Sequence, residues 1–377
     1  MNLTLRPTSA ARLLARLPHQ LGHSPQGSLV LVPVAARAML GALRIDLPGD
    51  AGVDRAAELA IGYLRRVPDV EDVVTTIWTD GPALDGGGVA HEALAAAVAE
   101  RAAAAGLRIT GEYCIGDDGW TAYDRPLLRP LAELADADPD PCAALPVDAR
   151  AGSAVPRAAA DEREEVARQL LALEELPTDP FRRIWDGLRP DAAVAEAAAE
   201  LRAFDADPFF AVRESLSGAE LAPSRAALWM WILRCPALRD VMITAWTGGV
   251  DEARHACAWQ RDWVEGSAVS PDFPVRLAGE GLRPPRPRLL AALEFCRALA
   301  GRAPRTHLAA CLAVCGWLAW ALGNSTHAGE YAARALEIDE RCSFAALIRT
   351  MTDRGILPGW AFDPAGMDAS LDTDGLT

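Results

Sequence analysis

The stretch from Thr306 to Pro358 reads THLAACLAVCGWLAWALGNSTHAGEYAARALEIDERCSFAALIRTMTDRGILP and has the densest pattern of aromatic and small residues in the chain. Its apolar residues recur at helical spacing, which is typical of helices that bury one face. The stretch therefore predicts two packed helices and the start of a third. We take this helical packing to organise the C-terminal part of the chain.

Length and charge limit what the protein is expected to bind. At 377 residues the chain fits two or three domains, and its excess of alanine favours helix over sheet. Its net charge of −15 would repel a phosphate backbone, so no nucleic-acid partner is predicted. Arg283, Arg286 and Arg288 form the best local basic cluster, which we interpret as a solvated linker.

Neither a membrane segment nor a cysteine framework is predicted. The start of the chain has no uninterrupted apolar segment, and no later apolar run is long enough to span a bilayer, so we expect a cytoplasmic protein with no membrane partner. The eight cysteines are scattered and include no CxxC pair, which argues against disulfides and a zinc ribbon. No cofactor is predicted.

The first 125 residues alternate between strand and helix patterns. The predicted strands are Leu29–Val34, Ala42–Leu47 and Val73–Trp78, followed by a hairpin of Leu107–Ile115 and Trp120–Tyr123 around Asp118-Gly119. The predicted helices are Ala10–Leu17, which Pro18 would end, Val53–Val67 and His91–Ala105. The pattern therefore predicts an α/β domain with a mixed sheet over residues 1–125, with the hairpin as its antiparallel edge.

The composition changes after that domain. Residues 126–160 are rich in proline and aspartate and have no periodicity, so we interpret them as a linker or an excursion. Residues 161–362 read as successive helices with short connections, and residues 363–377 as a disordered tail. The predicted fold is thus an N-terminal α/β domain followed by an all-α C-terminal helical domain.

Part of the opening stretch resembles one tetratricopeptide repeat. The residues that carry the resemblance are Gly316, Ala319, Trp320, Gly323, Ala328, Tyr331, Ala335, Leu336 and Asp339. Small residues at 316, 328 and 335 would let two antiparallel helices approach closely, with Trp320 and Tyr331 between them. No second copy occurs at the period of the repeat. Two interpretations stay open, a single repeat-like hairpin within a helical bundle and a degenerate array.

A second resemblance covers most of the chain. It rests on LLARLPHQLGHSPQGSLVLV (13–32), RIDLP (44–48), WTD (78–80), WTAY (120–123), LRD (238–240) and the WLAWALGN…ALEID…GILP block. In order and spacing these blocks are similar to the actinobacterial domain-of-unknown-function family 4192. The resemblance implies an architecture and a bacterial cytoplasmic setting. It implies no catalytic residue.

One candidate ligand-binding segment is the loop Gly22–Ser28, where His23 and Ser24 would be the polar contacts. A phosphate cradle runs from a strand through glycines to a helix N-terminus, whereas this loop leads into a strand. A structural turn is the alternative interpretation.

Other candidate residues lie on or just after the predicted strands. Arg44 and Asp46 are two residues apart on one strand, so they share a face and are expected to form an ion pair or a shared polar contact. Asp80 follows the third strand and Asp117 lies in the hairpin, where they could gather near one edge of the sheet. Aspartate in a loop is also a common turn-former, so no metal site is predicted.

His307, Cys311 and Cys315 lie at successive helical turns and so share one helix face. Zinc would need that geometry and a fourth ligand from another element. The same face is also the predicted packing face, where cysteine acts as a small hydrophobe. We favour packing.

Two functions remain open. The chain contains no GxSxG, HExxH, Walker A or properly placed GxGxxG motif, and its tryptophans concentrate in the helical half. The first hypothesis is a binding protein that engages a protein partner or small ligand through the helical domain or the domain interface. The alternative is an enzyme, or a nucleotide- or metal-binding protein, with a pocket at the sheet edge of the α/β domain.

Overall fold

The computed structural model describes residues 7–35, 38–138, 150–176, 192–264, 266 and 275–363. The chain forms two compact units, one of Met1–Gly152 with Phe362–Thr377 and the other of Ser153–Ala361. We call them the sheet unit and the helical unit. The predicted combination of a mixed α/β sheet with an all-α region is confirmed. The exact domain boundaries remain predictions.

The sheet unit contains nine strands and four helices in its described part. In chain order they are α1 Pro7–Leu21, β1 Ser28–Ala35, β2 Ala38–Met39, β3 Leu43–Asp46, α2 Val53–Leu64, β4 Asp72–Trp78, β5 Leu84–Asp85, β6 Gly88–Val89, α3 Glu92–Ala104, β7 Arg108–Ile115, β8 Trp120–Ala122, β9 Arg125–Arg129 and α4 Ala132–Ala137.

Seven of these strands form one sheet in the order β2-β1-β4-β7-β8-β9, and β3 also pairs with β1. β4 and β7 are parallel, and the other pairs in this sheet are antiparallel. Leu29 and Leu31 pack on the α2/α3 side, while Val30 and Val32 pack with α1 on the other side. Burial on both faces explains why β1 reads as a continuous apolar run.

The prediction that Pro18 ends the first helix was wrong, because α1 continues through it to Leu21. Proline at this position removes the hydrogen bond that its N–H would donate to the carbonyl of Leu14. Leu14 and Leu17 are fully buried, and Leu21 packs against the same cluster. Burial of these leucines, worth about 1.5–3 kcal/mol for each fully buried side chain, offsets the lost hydrogen bond.

Residues 126–160 contain more regular structure than their composition indicates. β9 adds a strand beyond the predicted hairpin, and α4 packs through Leu134 and Ala137 against α1. Farther along, the backbone near Ser153 lies on the helical unit, where Arg297 and Arg334 donate hydrogen bonds to the carbonyls of Ala154 and Ser153 at 2.5 and 3.2 Å. The short strands β2, β5 and β6 were also not predicted, because two-residue strands show no periodicity.

The helical unit contains ten helices in its described part. They are α5 Ala160–Glu174, α6 Ala192–Ala206, α7 Pro208–Ser215, α8 Pro223–Arg234, α9 Pro236–Gly248, α10 Val250–Val264, α11 Arg286–Arg302, α12 Arg305–Ala321, α13 Ser325–Ile338 and α14 Ser343–Asp353. Among the described helices of the chain, none combines the length and hydropathy needed to cross a membrane.

The hairpin of α12 and α13 packs through its small residues. A Cβ at Gly316 would lie 3.2 Å from the carbonyl oxygen of Ala328 and 3.5 Å from Cβ of Tyr331, so the two helices are close there. Trp320 and Tyr331 are fully buried at the same contact. The close approach predicted from residues 316 and 328 is therefore present in the structure.

We expect Tyr331→Phe to raise the free energy of unfolding by about 1 kcal/mol, because it removes a buried polar group that is not hydrogen-bonded. The Tyr331 hydroxyl is buried and has no hydrogen-bond partner among the described residues. Urea denaturation would measure the change. The control is Trp320→Phe, which removes an indole donor that lies 2.7 Å from the carbonyl of Ile356 and should lower stability. A less stable Tyr331→Phe protein would contradict the prediction.

Candidate functional site

Three loops meet at one edge of the sheet. Antiparallel pairing places Ser28, at the start of β1, opposite Trp78 at the end of β4, and parallel pairing places Trp78 beside Ile115 at the end of β7. The segments 22–27, 79–83 and 116–119 therefore lie at the same edge. We call these three segments, together with His91, the rim. Ligands of open α/β sheets bind outside the carboxyl ends of parallel strands, where the rim lies.

Backbone hydrogen bonds hold the second and third loops together. The Thr79 N–H donates to the carbonyl of Ile115 at 2.9 Å, and the Asp117 N–H donates to that of Gly81 at 3.1 Å. The carboxylate of Asp118 accepts from the Ala83 N–H at 2.6 Å. Asp118 therefore has a structural role, although it is exposed like its neighbour Asp117.

Gly116 permits this close approach. A Cβ at that position would lie 2.3 Å from the nitrogen of Ala83 and 2.5 Å from the carbonyl oxygen of Gly81. Both contacts are with backbone, which cannot move aside as a flexible side chain can. Any residue larger than glycine would therefore separate the two loops.

The first loop reaches the second at Gly27 and Asp80. Gly27 has a φ of 60°, and a Cβ there would lie 3.3 Å from Oδ2 of Asp80. A positive φ favours glycine, and the tight contact favours it further. Asp80 is exposed, so its carboxylate borders the first loop and also faces solvent.

His23 and Ser24, which the sequence indicated as polar contacts for a ligand, do not bond to the carboxylates of the rim in the described part of the chain. His23 is buried, and its Nδ1 lies 2.9 Å from the carbonyl oxygen of Ser24. Across the described ranges, no hydrogen bond joins either side chain to Asp80 or Asp117. The structure therefore brings the loop of His23 and Ser24 to the rim without joining their side chains to the carboxylates.

Arg44 and Asp46 form the ion pair that their spacing predicts, through Nη2 of Arg44 and Oδ1 of Asp46. The Asp46 side chain is 80% exposed and that of Arg44 only 15%, so the carboxylate lies at the surface. Because Asp46 pairs with Ser28 across β1 and β3, the ion pair lies at the rim edge.

Sequence reasoning did not identify His91. It is exposed and adopts a left-handed conformation, with φ 57° and ψ 30°, immediately before α3. Its Nε2 lies 3.3 Å from Oγ1 of Thr79, which also accepts from the Gly81 N–H. Left-handed backbone costs a non-glycine residue of the order of 1–3 kcal/mol, and such strain clusters at functional sites.

A partly buried tyrosine fixes the backbone beside His91. The hydroxyl of Tyr123 donates to the carbonyl of Ala90 at 2.6 Å, and burial raises the pKa of Tyr123 far above its ordinary value. Burial, aided by the nearby charge of Asp124, raises the pKa of Glu112. Burial also raises the pKa of Cys114 to about 11, so this thiol stays protonated and is a poor nucleophile.

A glycine-rich segment between β4 and α3 bears on whether the rim could bind a phosphate. Residues 79–91 run from β4 through Gly86, Gly87 and Gly88 to α3, the direction in which a phosphate cradle runs. Yet Asp80 and Glu92 lie at its two ends, and α3 has no basic residue in its first turn. Two carboxylates at that position would repel a phosphate.

Metal binding finds no support among the residues that the structure describes. No group of three or more His, Cys, Asp or Glu side chains is arranged to hold an ion there. His307, Cys311 and Cys315 are all buried, and Nδ1 of His307 lies 3.0 Å from Oγ1 of Thr306. Burial raises the pKa of Cys311 to about 12. This helix face therefore belongs to the core, as the favoured interpretation holds.

The tryptophans of the helical unit are mostly core residues. Trp229, Trp246, Trp317 and Trp320 are each no more than 1% exposed. The indoles of Trp317 and Trp320 donate to the carbonyls of Leu277 and Ile356 at 3.1 and 2.7 Å. A partner of this unit would therefore contact side chains other than these four.

These features define a two-unit protein with an α/β sheet unit, a helical unit and an acidic rim at the sheet edge. The family described as "Domain of unknown function (DUF4192)" matches residues 11–272, so the chain belongs to that family. The match begins within α1, runs through the strands of the sheet unit and the helical unit as far as α10, and ends before α11–α14. No curated protein and no solved structure matches the chain.

Proposed function

We propose that this protein is a binding protein of the bacterial, actinobacterial cytoplasm and that the rim is its ligand site. The observation that carries the proposal is the contact of Gly27 with Asp80, beside loops that Gly116 and Asp118 hold together. A site whose loops are held in place before binding loses less conformational entropy when the ligand arrives.

The charge of the rim favours a small ligand that carries an amine. Asp80 and Asp117 are exposed there, and neither forms an ion pair with a residue that the structure describes. The ring of His91 adds a second polar group beside Thr79. An ammonium group would gain from both carboxylates, whereas a nucleotide would bring its phosphates against them.

Thermal shift with 1,4-diaminobutane, ATP and Mg²⁺ tests this proposal. A ligand that binds only the folded state stabilises it, by about 2.7 kcal/mol at a concentration of 100 Kd. We expect the diamine to raise the melting temperature and Asp80→Asn to abolish the increase. Glu58→Gln removes one exposed charge from α2 in the same unit and should retain the increase.

Two results would overturn the amine proposal. One is a shift produced by ATP or Mg²⁺ and not by the diamine, which would favour the nucleotide- or metal-binding alternative. The other is an Asp80→Asn protein that responds to the diamine as wild type does.

A protein partner for the helical unit is a second candidate function. The observation in its favour is an exposed leucine beside the arginine-rich segment, since Leu282 is 77% exposed. The tetratricopeptide-like hairpin proposed for α12 and α13 is consistent with this role, because such units commonly bind other proteins.

A further inference from the structure

The segment from Leu282 to Leu290 reads LRPPRPRLL and differs in charge from the rest of the chain. It contains three arginines and no acidic residue, in a protein whose net charge is −15. Leu282 and Leu290 are 77% and 42% exposed at its two ends. We call residues 282–290 the arginine–leucine surface. Its composition combines apolar contact area with local positive charge.

The loop that precedes this surface is firmly anchored. Arg276 is buried and donates two hydrogen bonds to the carboxylate of Glu252, at 2.8 and 2.7 Å. The same guanidinium donates to the carbonyl of Leu282. The Glu280 N–H donates to the carbonyl of Val275 at 2.8 Å. Leu282 is therefore exposed on a loop that is held in place from within.

Proline adds stiffness to the surface itself. Pro284 and Pro285 follow the loop, and Pro287 lies in the first turn of α11. The proline ring restricts φ, so the segment loses little conformational entropy when it binds a partner. An exposed apolar side chain on a stiff support is a suitable contact for another protein.

Two arginines of this surface differ from others in the same unit. Arg276, Arg297 and Arg302 each pair with a glutamate. Arg286 and Arg288, by contrast, form no ion pair within the ranges that the structure describes. Arg286 is also exposed, so its guanidinium is accessible to an external carboxylate.

Arg286 and Arg288 lie in the first turn of α11, where positive charge is unfavourable unless an anion is nearby. The first turn of α11 contains no acidic residue, and the N-terminus of a helix carries partial positive charge. The backbone offers little to an anion, because Pro287 has no N–H and the N–H groups of Arg288 and Leu289 donate to the carbonyl of Pro285. An incoming carboxylate would therefore be bound by guanidinium groups.

We infer that the arginine–leucine surface binds an acidic, leucine-bearing segment of a partner protein. This inference rests on the second proposed function, the protein partner of the helical unit, and is independent of the rim. Carboxylates of the segment pair with Arg286, which shares a helix face with Leu290, and its apolar side chains cover Leu282 and Leu290.

Charge distinguishes this occupant from two others. A second copy bound through the same surface would bring arginines opposite arginines, which costs energy. A nucleic acid would gain from the arginines, but the chain as a whole would repel its phosphates. The exposed leucines at both ends of the segment would gain from apolar contacts with a protein, which a polyanion does not offer.

Fluorescence anisotropy on the full chain tests this inference with three labelled probes. These are short peptides of alternating leucine and glutamate, peptides of alternating leucine and lysine, and oligouridylate. We expect the leucine–glutamate peptide to bind the wild type, and its affinity to fall as salt rises. Leu282→Glu and Arg286→Glu should each weaken it by about 10-fold or more.

Matched controls come from exposed residues elsewhere in the helical unit. Leu171 is 62% exposed on α5, so Leu171→Glu introduces the same charge at a similarly exposed leucine. Arg157 is exposed as well, and Arg157→Glu matches the charge reversal at Arg286. Both controls should bind the leucine–glutamate peptide as wild type does. Circular dichroism would show that all four variants are folded.

Several results would overturn the inference. One is tighter binding of the lysine peptide or of oligouridylate than of the leucine–glutamate peptide, and another is a Leu171→Glu control whose affinity for that peptide falls as much as that of Leu282→Glu. The others are concentration-dependent dimerisation that Leu282→Glu abolishes, and no binding of any probe at about 1 mM. A leucine–glutamate peptide that binds the Leu282→Glu and Arg286→Glu proteins as tightly as wild type would overturn this surface and leave the second proposed function standing. Failure of the rim proposal would appear only in the diamine thermal shift.

Discussion

Gly116→Ala is expected to lower the free energy of unfolding of the sheet unit by about 3 kcal/mol, at the upper end of the usual cost of overpacking. The added Cβ would lie 2.3 Å from the nitrogen of Ala83, 2.5 Å from the oxygen of Gly81 and 2.7 Å from the carbonyl carbon of Pro82. All three are backbone atoms, so relief requires one loop to move. Urea denaturation, monitored by circular dichroism, measures the change.

Gly81→Ala is the matched control, because it lies in the opposing loop and a Cβ there would meet no atom within 4 Å. It should change stability little. If the rim binds a ligand, Gly116→Ala should also weaken that binding, since the hydrogen bond from Asp117 to Gly81 would be displaced. A Gly116→Ala protein as stable as the Gly81→Ala control would show that the two loops are not held together as described.

The second large effect is a dependence of stability on pH that arises from His307. Burial, reinforced by the charge of Arg234 and opposed by that of Glu174, lowers the pKa of His307 to about 4. An unfolded histidine titrates near 6.5, so between these two values the unfolded state binds more protons than the folded state. Stability therefore rises with pH through this window.

The expected size of the effect follows from the shift. The two pKa values differ by about 2.5 units, which corresponds to about 3 kcal/mol of stability. This amount is fully present above about pH 6.5 and is lost progressively as pH falls to about 4. His307→Gln should remove this contribution, so the difference in unfolding free energy between the two proteins should change with pH.

His255→Gln provides the comparison, because His255 is exposed on α10 in the same unit. Its unfolding free energy should follow the wild-type pH dependence. Equal curves for wild type and His307→Gln between pH 4 and 6.5 would contradict the lowered pKa of His307.

The fold was largely predictable where one residue pattern determines one element. The strands predicted at Leu29–Val34 and Val73–Trp78 are both present, and each is longer in the structure by one or two residues. The first is a continuous apolar run, which indicates a strand buried on both faces, and the second is rich in β-branched residues. α2 and α3 follow from their 3.6-residue periodicity. These elements carry enough local information to be identified without neighbours.

The rim was only partly predictable because its geometry depends on register. Asp80 and Asp117 were expected near one edge of the sheet, and the pairing of β4 with β7 places their loops there. The contact between Gly27 and Asp80 requires the pairing of β1 with β4, which spacing along the chain does not reveal. His91 was missed because a left-handed histidine has no sequence signature. The glycines before it, between a strand and a helix, were the only available signal.

Pro126 has a consequence for how this protein behaves at high concentration. It lies in β9, the outermost strand on one side of the sheet. The Leu127 N–H in this strand points inward and donates to Oγ1 of Thr121 at 3.0 Å. Because the backbone N–H groups of successive strand residues point to opposite sides, those of residues 126 and 128 would point away from the sheet. Proline has no N–H, so residue 126 offers no donor there. Exposed Leu127 and Leu128 would otherwise make this edge a template for adding strands from other molecules. Pro126 thus removes a donor that a further strand would need for pairing with β9. Restoring an N–H at this position would favour fibrillar association.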